Sequence, residues 1–233
     1  MRIMLKVSGE ALKSDDAIST KMLEKVKNDI LKIRNKGNEV LVVVGGGNIW
    51  RGRENLSIDS VTTNNIGMLA TVMNAIALNS YLVNNDIKSK VYSAFEVEGI
   101  CHKYNYFDAL NDVKESVLIF GGGLGIPTFS TDMVTVEKAI ELSCDLIIMA
   151  KSIDGIYDKD PHQKDAKKYN EITHEMLINN QIKEGIDKLA VMDLEAMSML
   201  CKHKIPLYLF SLKDENGIDK LLDKNYDGTM VRS

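Results

Sequence analysis

The chain has 233 residues, of which 45% are apolar and 27% charged, an ordinary globular mix that excludes a disordered chain. Lys and Arg number 29 against 33 Asp and Glu, for a net charge of −4. That balance excludes a general nucleic-acid binder, because neutralising phosphates takes clustered excess cations. Three cysteines, Cys101, Cys144 and Cys201, form no C-x-x-C pair, so reduced thiols and a cytoplasmic setting are expected. The N-terminus lacks the apolar run of a signal peptide, and no stretch approaches about 18 consecutive apolar residues, so no membrane partner is expected.

Short apolar runs alternate with segments of helical period. Ile3–Val7 reads as a strand. Met22, Leu23, Val26, Ile30 and Ile33 recur at helical spacing and predict a helix over Thr20–Lys36, with Gly37 as its stop. Val40–Val44 is β-branched and continuous, the pattern of a strand buried on both faces. A helix over Met68–Val83, a short strand over Val91–Ala94 and a helix over Phe107–Val113 follow. Val117–Phe120 reads as another buried strand, Met133–Leu142 as a helix, Leu146–Ala150 as a strand, Glu195–His203 as a helix and Leu207–Phe210 as a strand. This alternation predicts an α/β fold with a mainly parallel sheet and helices on both faces. The segment Tyr157–Lys188 is more polar, but no Gly/Pro/Ser-rich linker precedes it. One domain over 1–233 is therefore expected, with a seam near residue 150 between two lobes.

Three segments that follow predicted strands carry the chemistry, since ligands in open α/β sheets bind beyond the carboxyl ends of strands. Lys6-Val7-Ser8-Gly9-Glu10 sets one positive charge beside free backbone N–H groups, which suits a phosphate. Alone it is also a surface Lys and a turn. Gly45-Gly46-Gly47-Asn48-Ile49-Trp50-Arg51-Gly52-Arg53 places three glycines where a ligand can approach the backbone, with an arginine fork behind them. Gly121-Gly122-Gly123-Leu124-Gly125-Ile126-Pro127-Thr128-Phe129-Ser130-Thr131-Asp132 has the same form and runs into a helix, which Thr131 or Asp132 would cap or whose N-terminus would receive an anion. Neither run is a Walker A loop or a dinucleotide fingerprint. Two glycine loops around one Lys are the layout phosphoryl transfer needs, where positioning and charge neutralisation do the catalysis.

Asp154-Gly155-Ile156-Tyr157-Asp158-Lys159-Asp160-Pro161 is acidic but lacks the EF-hand pattern, and Asp154-Gly155 reads equally as turn chemistry. Asp193 precedes a helix and reads first as its N-cap. His102, His162, His174 and His203 share no zinc spacing, no catalytic triad signature is present, and no metal ligands are assigned. Cys144 sits beside a buried strand and reads as inert.

Taken in order, Lys6–Leu12, Gly45–Gly52, Gly67–Asn74, Phe129–Asp132, Met149-Ala150-Lys151, Asp154–Tyr157, Asp160-Pro161 and Val191–Asp193 resemble the bacterial uridylate (UMP) kinases of the amino-acid kinase superfamily. The resemblance covers nearly the whole chain. It implies a three-layer αβα sandwich with about eight strands, an N-terminal lobe of about 1–150 on the UMP side, and a C-terminal lobe of about 151–233 on the ATP side. It implies transfer of the ATP γ-phosphate to UMP with Mg²⁺, a homohexamer, and GTP and UTP as effectors. Carried over by matching motif, Lys6, Arg51 and Asp193 are the catalytic candidates. ATP would be held by Lys6, Val7, Ser8, Gly9, Gly47, Arg51, Lys151, Tyr157 and Asp160. UMP would be held by Gly46, Asn64, Leu124, Gly125, Ile126, Pro127, Thr128, Phe129, Ser130 and Thr131.

The chain departs from that pattern at Asn64, where relatives carry an Asp on the ribose, and at Leu124 and Ile126, where two polar side chains become apolar. An Asn offers one acceptor oxygen and a donor amide in place of an anionic acceptor pair, so looser ribose binding is expected. Arg51–Asn64 and Lys13–Ile18 are also shortened. The alternatives are a relative that phosphorylates a carboxylate or carbamate, and a nucleotide-binding regulator without turnover.

Overall fold

The computed structural model describes residues 1–51, 57–184 and 191–233. Gly52 and Arg53 of the second glycine segment lie outside the described residues, as do residues 185–188 of the polar segment. In chain order the elements are β1 (Arg2–Val7), a single 3₁₀ turn (Gly9–Leu12), α1 (Thr20–Asn35), β2 (Glu39–Val44), α2 (Ser60–Val83), β3 (Ser89–Ser93), β4 (His102–Lys103), α3 (Tyr106–Asp112), β5 (Val117–Gly121) and α4 (Thr131–Glu141). They continue as β6 (Leu146–Lys151), β7 (Ile156–Tyr157), β8 (Lys168–Tyr169), β9 (Glu171–Ile172), α5 (His174–Glu184), α6 (Leu194–His203), β10 (Leu207–Ser211), α7 (Gly217–Leu222) and β11 (Thr229–Val231).

Nine strands form one sheet in the order β4-β3-β5-β2-β1-β6-β10-β11-β9, and β7 pairs with β8 in a separate ribbon. β10 and β11 are antiparallel, while the other neighbours in the large sheet are parallel. The central strands bury both faces, and period-2 alternation sorts their side chains into two cores. Met4, Leu41, Val43, Leu118, Phe120, Ile147 and Met149 point to one face, which α4 and α6 cover with Val136, Ala139, Met197 and Leu200. Ile3, Leu5, Val40, Val42, Ile119 and Ile148 point to the other, which α1 and α2 cover with Val26, Ile30, Ala75, Leu78 and Leu82. The α/β class, the parallel sheet and the helices on both faces are as the sequence predicts, and the sheet runs without interruption across the seam near residue 150.

α2 begins at Ser60, eight residues before the predicted start. Its first turns hold Val61, Thr62, Thr63, Asn64 and Asn65, all weak helix formers, so periodicity does not announce them. The Asp59 side chain starts the helix by accepting from the Thr62 N–H at 2.9 Å. Asn64 therefore stands on a helix rather than on a loop. α2 carries no charge along its 24 residues and is long and apolar enough to cross a membrane by length and composition. Here its inner face packs on the sheet, while Leu69, Met73 and Val83 remain half exposed on its outer face.

Burial sets the acid–base behaviour of two side groups. The Cys144 thiol is pushed up to about 12 by burial, which agrees with an inert thiol. Asp29 on α1 is raised from 3.8 to about 6, again by burial, and Lys32 at 3.9 Å offsets this only in part. A carboxyl raised in the folded state costs stability once it ionises, so the cost is absent below about pH 4, grows through pH 4–6 and is complete above it. Asp29→Asn is therefore expected to raise stability at pH 8 by on the order of 1–3 kcal/mol. Calorimetric melting at pH 8 and pH 5 should show a smaller gain at the lower pH.

Candidate active site

Because β1, β2, β5 and β6 are parallel, their carboxyl ends meet at one edge of the sheet. The loops after them converge there. β1 runs into Ser8-Gly9, β2 into Gly45-Gly46-Gly47 and β5 into Gly122-Gly123. A Cβ on Gly9 would stand 2.4 Å from the Gly47 N and 2.6 Å from the Asn48 N, so only glycine lets the first two loops touch. Gly122 has φ +76°, and its N–H donates to Thr71 Oγ1 at 2.7 Å, tying the third loop to α2.

The second loop is anchored from below. Asn48 Nδ2 donates to Asn74 Oδ1 at 2.9 Å and Asn74 Nδ2 donates to Asn48 Oδ1 at 2.7 Å. The same two amides also donate to the carbonyls of Ala17 and Gly45, at 2.7 and 2.6 Å. Asn74 is wholly buried. Arg51 spans the first two loops, with Nη2 2.9 Å from Glu10 Oε1 and Nε donating to the Gly47 carbonyl at 3.1 Å.

At the centre, Asp132 on the first turn of α4 lies between two lysines. Lys6 Nζ is 3.0 Å from Oδ1 and Lys151 Nζ is 2.6 Å from Oδ2. Lys6 is 8% exposed. Burial works against the Asp132 charge, but the two ammonium groups overcome it and hold the carboxyl below its usual range. Burial first, then the neighbouring Lys6 charge, lowers Lys151 despite Asp132. Two buried cations around one anion leave an excess positive charge, which is what a phosphate recognises.

Asp132 is the functional residue that sequence reasoning underrated, since it reads there only as a cap. Ser130 performs that task instead, its Oγ accepting from the Met133 N–H at 3.0 Å and donating to Asp193 Oδ2. Asp193 caps α6, as its position predicts, with Oδ1 accepting from the Ala196 N–H at 2.9 Å. Lys6 thus pairs with Asp132, while Asp193 joins α6 to the third loop.

A cleft of about 340 Å³ opens beside this centre, lined by Gly46, Gly47, Trp50, Thr63, Asn64, Gly67, Met68, Ile126, Pro127, Phe129, Ser130 and Thr131 among others. Most of the residues expected to hold UMP therefore gather on one cleft. Leu124, Gly125 and Thr128 do not line it. Leu124 packs on the core, and Thr128 is exposed. On the C-terminal side, the Tyr157 hydroxyl donates to Asp154 Oδ1 at 2.8 Å, and Asp160 Oδ1 accepts from the His162 N–H at 2.9 Å within its own turn. A larger cavity of about 830 Å³ lies at the β3–β4 edge, but no glycine loop reaches it and its Lys90 is paired to Asp112 at 2.6 Å.

This sheet, its glycine loops and the lysine–carboxylate centre define a phosphotransferase of the α/β class. The chain belongs to the amino acid kinase family, whose model matches residues 1–211. It is 36% identical to the uridylate kinase of Actinobacillus pleuropneumoniae, over 99% of this chain and 97% of that one. It is 35% identical to the uridylate kinase of Haemophilus ducreyi over the same shares. Among solved structures it superposes on the UMP kinase of Ureaplasma parvum with a TM-score of 0.90, at 33% identity and covering 100% of this chain and 98% of that one. The UMP kinase of Bacillus anthracis gives 0.90 at 31% identity, covering 99% and 95%.

Removing the central carboxylate leaves two buried cations facing one another. Asp132→Asn is expected to cost about 3 kcal/mol of stability, the scale of a buried ion pair broken from one side. Thermal melting should show that loss, and added pyrophosphate should restore part of it by replacing the missing negative charge.

Proposed function

We propose that this protein is a nucleoside monophosphate kinase that transfers the γ-phosphate of ATP to UMP, giving UDP and ADP. The observation that carries this is the Lys6–Asp132–Lys151 centre at the ends of strands whose glycine loops also line a cleft of about 340 Å³. The UMP phosphate is largely ionised near neutral pH and needs no general base. One of its oxygens bonds to the γ-phosphorus as the bond to the β,γ-bridging oxygen breaks, and ADP departs with that electron pair. The transition state spreads negative charge over the transferring group, and Lys6 and Lys151, fixed by Asp132, stabilise it without reorganising.

The lobe up to about residue 150 supplies the UMP side together with the loops that meet the ATP phosphates, and the lobe from 151 supplies the rest of the ATP side. On the ATP side Val7, Ser8, Gly9 and Gly47 present backbone N–H groups to the phosphates, and Tyr157 and Asp160 stand at the nucleoside end. Arg51, held by Glu10 and the Gly47 carbonyl, adds positive charge beside the phosphates. Asp193 orders the third loop through Ser130. Leu124, Gly125 and Thr128 shape that loop rather than touching UMP.

Among the described residues no three His, Cys, Asp or Glu side chains cluster to hold a metal. In this reading Mg²⁺ would arrive on the ATP phosphates. Mg²⁺ would neutralise charge on the β- and γ-phosphates. A cytoplasmic homohexamer that responds to GTP and UTP completes the proposal.

Purified protein given ATP and Mg²⁺ should convert UMP to UDP faster than it does CMP or dCMP. Equal or better turnover of acetylglutamate, aspartate or carbamate would reject the proposal. Lys6→Ala should lower kcat by roughly two orders of magnitude, the scale of losing one preorganised donor. The outer face of α2, with Leu69 and Met73 half exposed, supports assembly through that helix. Light scattering should give about six times the chain mass of 26.0 kDa, and a stable monomer at micromolar concentration would refute the hexamer.

A further inference from the structure

Three buried threonine side chains on helices behave in two ways. Thr71 Oγ1 donates to the Met68 carbonyl at 2.7 Å, and Thr135 Oγ1 donates to the Thr131 carbonyl at 2.7 Å, each satisfied within its own helix. Thr63, on the first turn of α2, is 8% exposed, yet its Oγ1 has no hydrogen-bond partner among the described residues. It lines the 340 Å³ cleft. Trp50 lines the same cleft, and its buried indole Nε1 is likewise without a partner among the described residues. Its ring lies against α2, with Cδ1 3.9 Å from where a Gly67 Cβ would stand.

A buried hydroxyl and a buried indole N–H left unpaired, on two residues that line one cleft, are costly. A ligand that bonded both groups would remove that cost. Both groups are neutral, and their neighbours in the cleft include Met68, Ile126 and Phe129. An anionic phosphate is better served by Lys6 and Lys151. Neutral donors in apolar company match the neutral oxygens of a sugar or a base.

We propose that Thr63 Oγ1 and Trp50 Nε1 hydrogen-bond the nucleoside oxygens of the acceptor nucleotide and set its affinity and selectivity in this chain. This rests on the assignment of the cleft to UMP. The pair supplies neutral contacts on the same cleft wall where Asn64 replaces the carboxylate of the resembling family.

The test is steady-state kinetics and melting of Thr63→Val, Thr63→Ser and Trp50→Phe, with UMP and dUMP as acceptors. Val keeps the volume of Thr and removes the hydroxyl. KM for UMP should rise roughly three- to tenfold in Thr63→Val and in Trp50→Phe, the range of one neutral hydrogen bond, with KM for ATP unmoved. Thr63→Ser should stay near wild type. Thr63→Val should melt at or above the wild-type temperature, because an unpaired buried hydroxyl has become a methyl. Weaker UMP binding in a protein that is no less stable is a signature that a structural role for Thr63 does not produce. A lost preference for UMP over dUMP places the contact on the ribose 2′-hydroxyl, and a retained preference with raised KM places it on the base or the 3′-hydroxyl. An unchanged KM for UMP in both Thr63→Val and Trp50→Phe overturns the proposal. A wild-type protein that fails to phosphorylate UMP instead overturns the assignment of the cleft itself.

Discussion

The site depends on a single carboxylate shared by two ammonium groups. Asp132 draws Lys6 and Lys151 together at 3.0 and 2.6 Å, and the two lysines hold its carboxyl below the usual range against burial. Neither lysine alone would be stable there, and neither would the aspartate. Each comes from a different element: Lys6 from the end of β1, Lys151 from the end of β6, and Asp132 from the start of α4. The parallel register of β1 on β6, which sets Lys6 beside Met149, brings the two strand ends level. The fold thus delivers the charges to one edge, and the ion pairs fix them there.

The remainder of the site is arranged around that centre by contacts between neutral groups. Glycine at position 9 lets two loops meet at a distance no side chain permits, since its Cβ would stand 2.4 Å from the Gly47 N. Ser130 links the third loop to α6 through Asp193, and Thr71 links it to α2. The loops therefore stand on helices from both layers, and the cleft between them inherits the rigidity of the packed sheet.

Much of the fold was legible because its signals are local. The strands Val40–Val44, Val117–Phe120 and Leu146–Ala150 are continuous apolar runs, and doubly buried parallel strands read that way. The elements that were missed lack such signals: α7 has six residues, β4, β7, β8 and β9 have two each, β11 has three, and the 11 residues of α5 lie in the polar segment Tyr157–Lys188. α2 was read short because its opening turns are β-branched and Asn-rich, so a cap and tertiary packing decide them. In the site, the glycine loops and Lys6 were visible because phosphate chemistry demands them beside strand ends. Asp132 was not, because an acid at a helix start has a cheaper explanation until two lysines from distant strands are seen to flank it. Thr63 was invisible for a related reason, since an unpaired hydroxyl is a property of surroundings and not of sequence.

The reciprocal amide pair beneath the second loop carries a consequence for how the protein can change over time. Asn48 and Asn74 each donate to and accept from the other, and each holds a backbone carbonyl besides. Changing either one to Asp turns a donor into an acceptor and leaves two buried oxygens facing each other; changing either one to Leu strands a buried amide. Both first steps lead through a less stable protein, so drift at these two positions is blocked unless both change together.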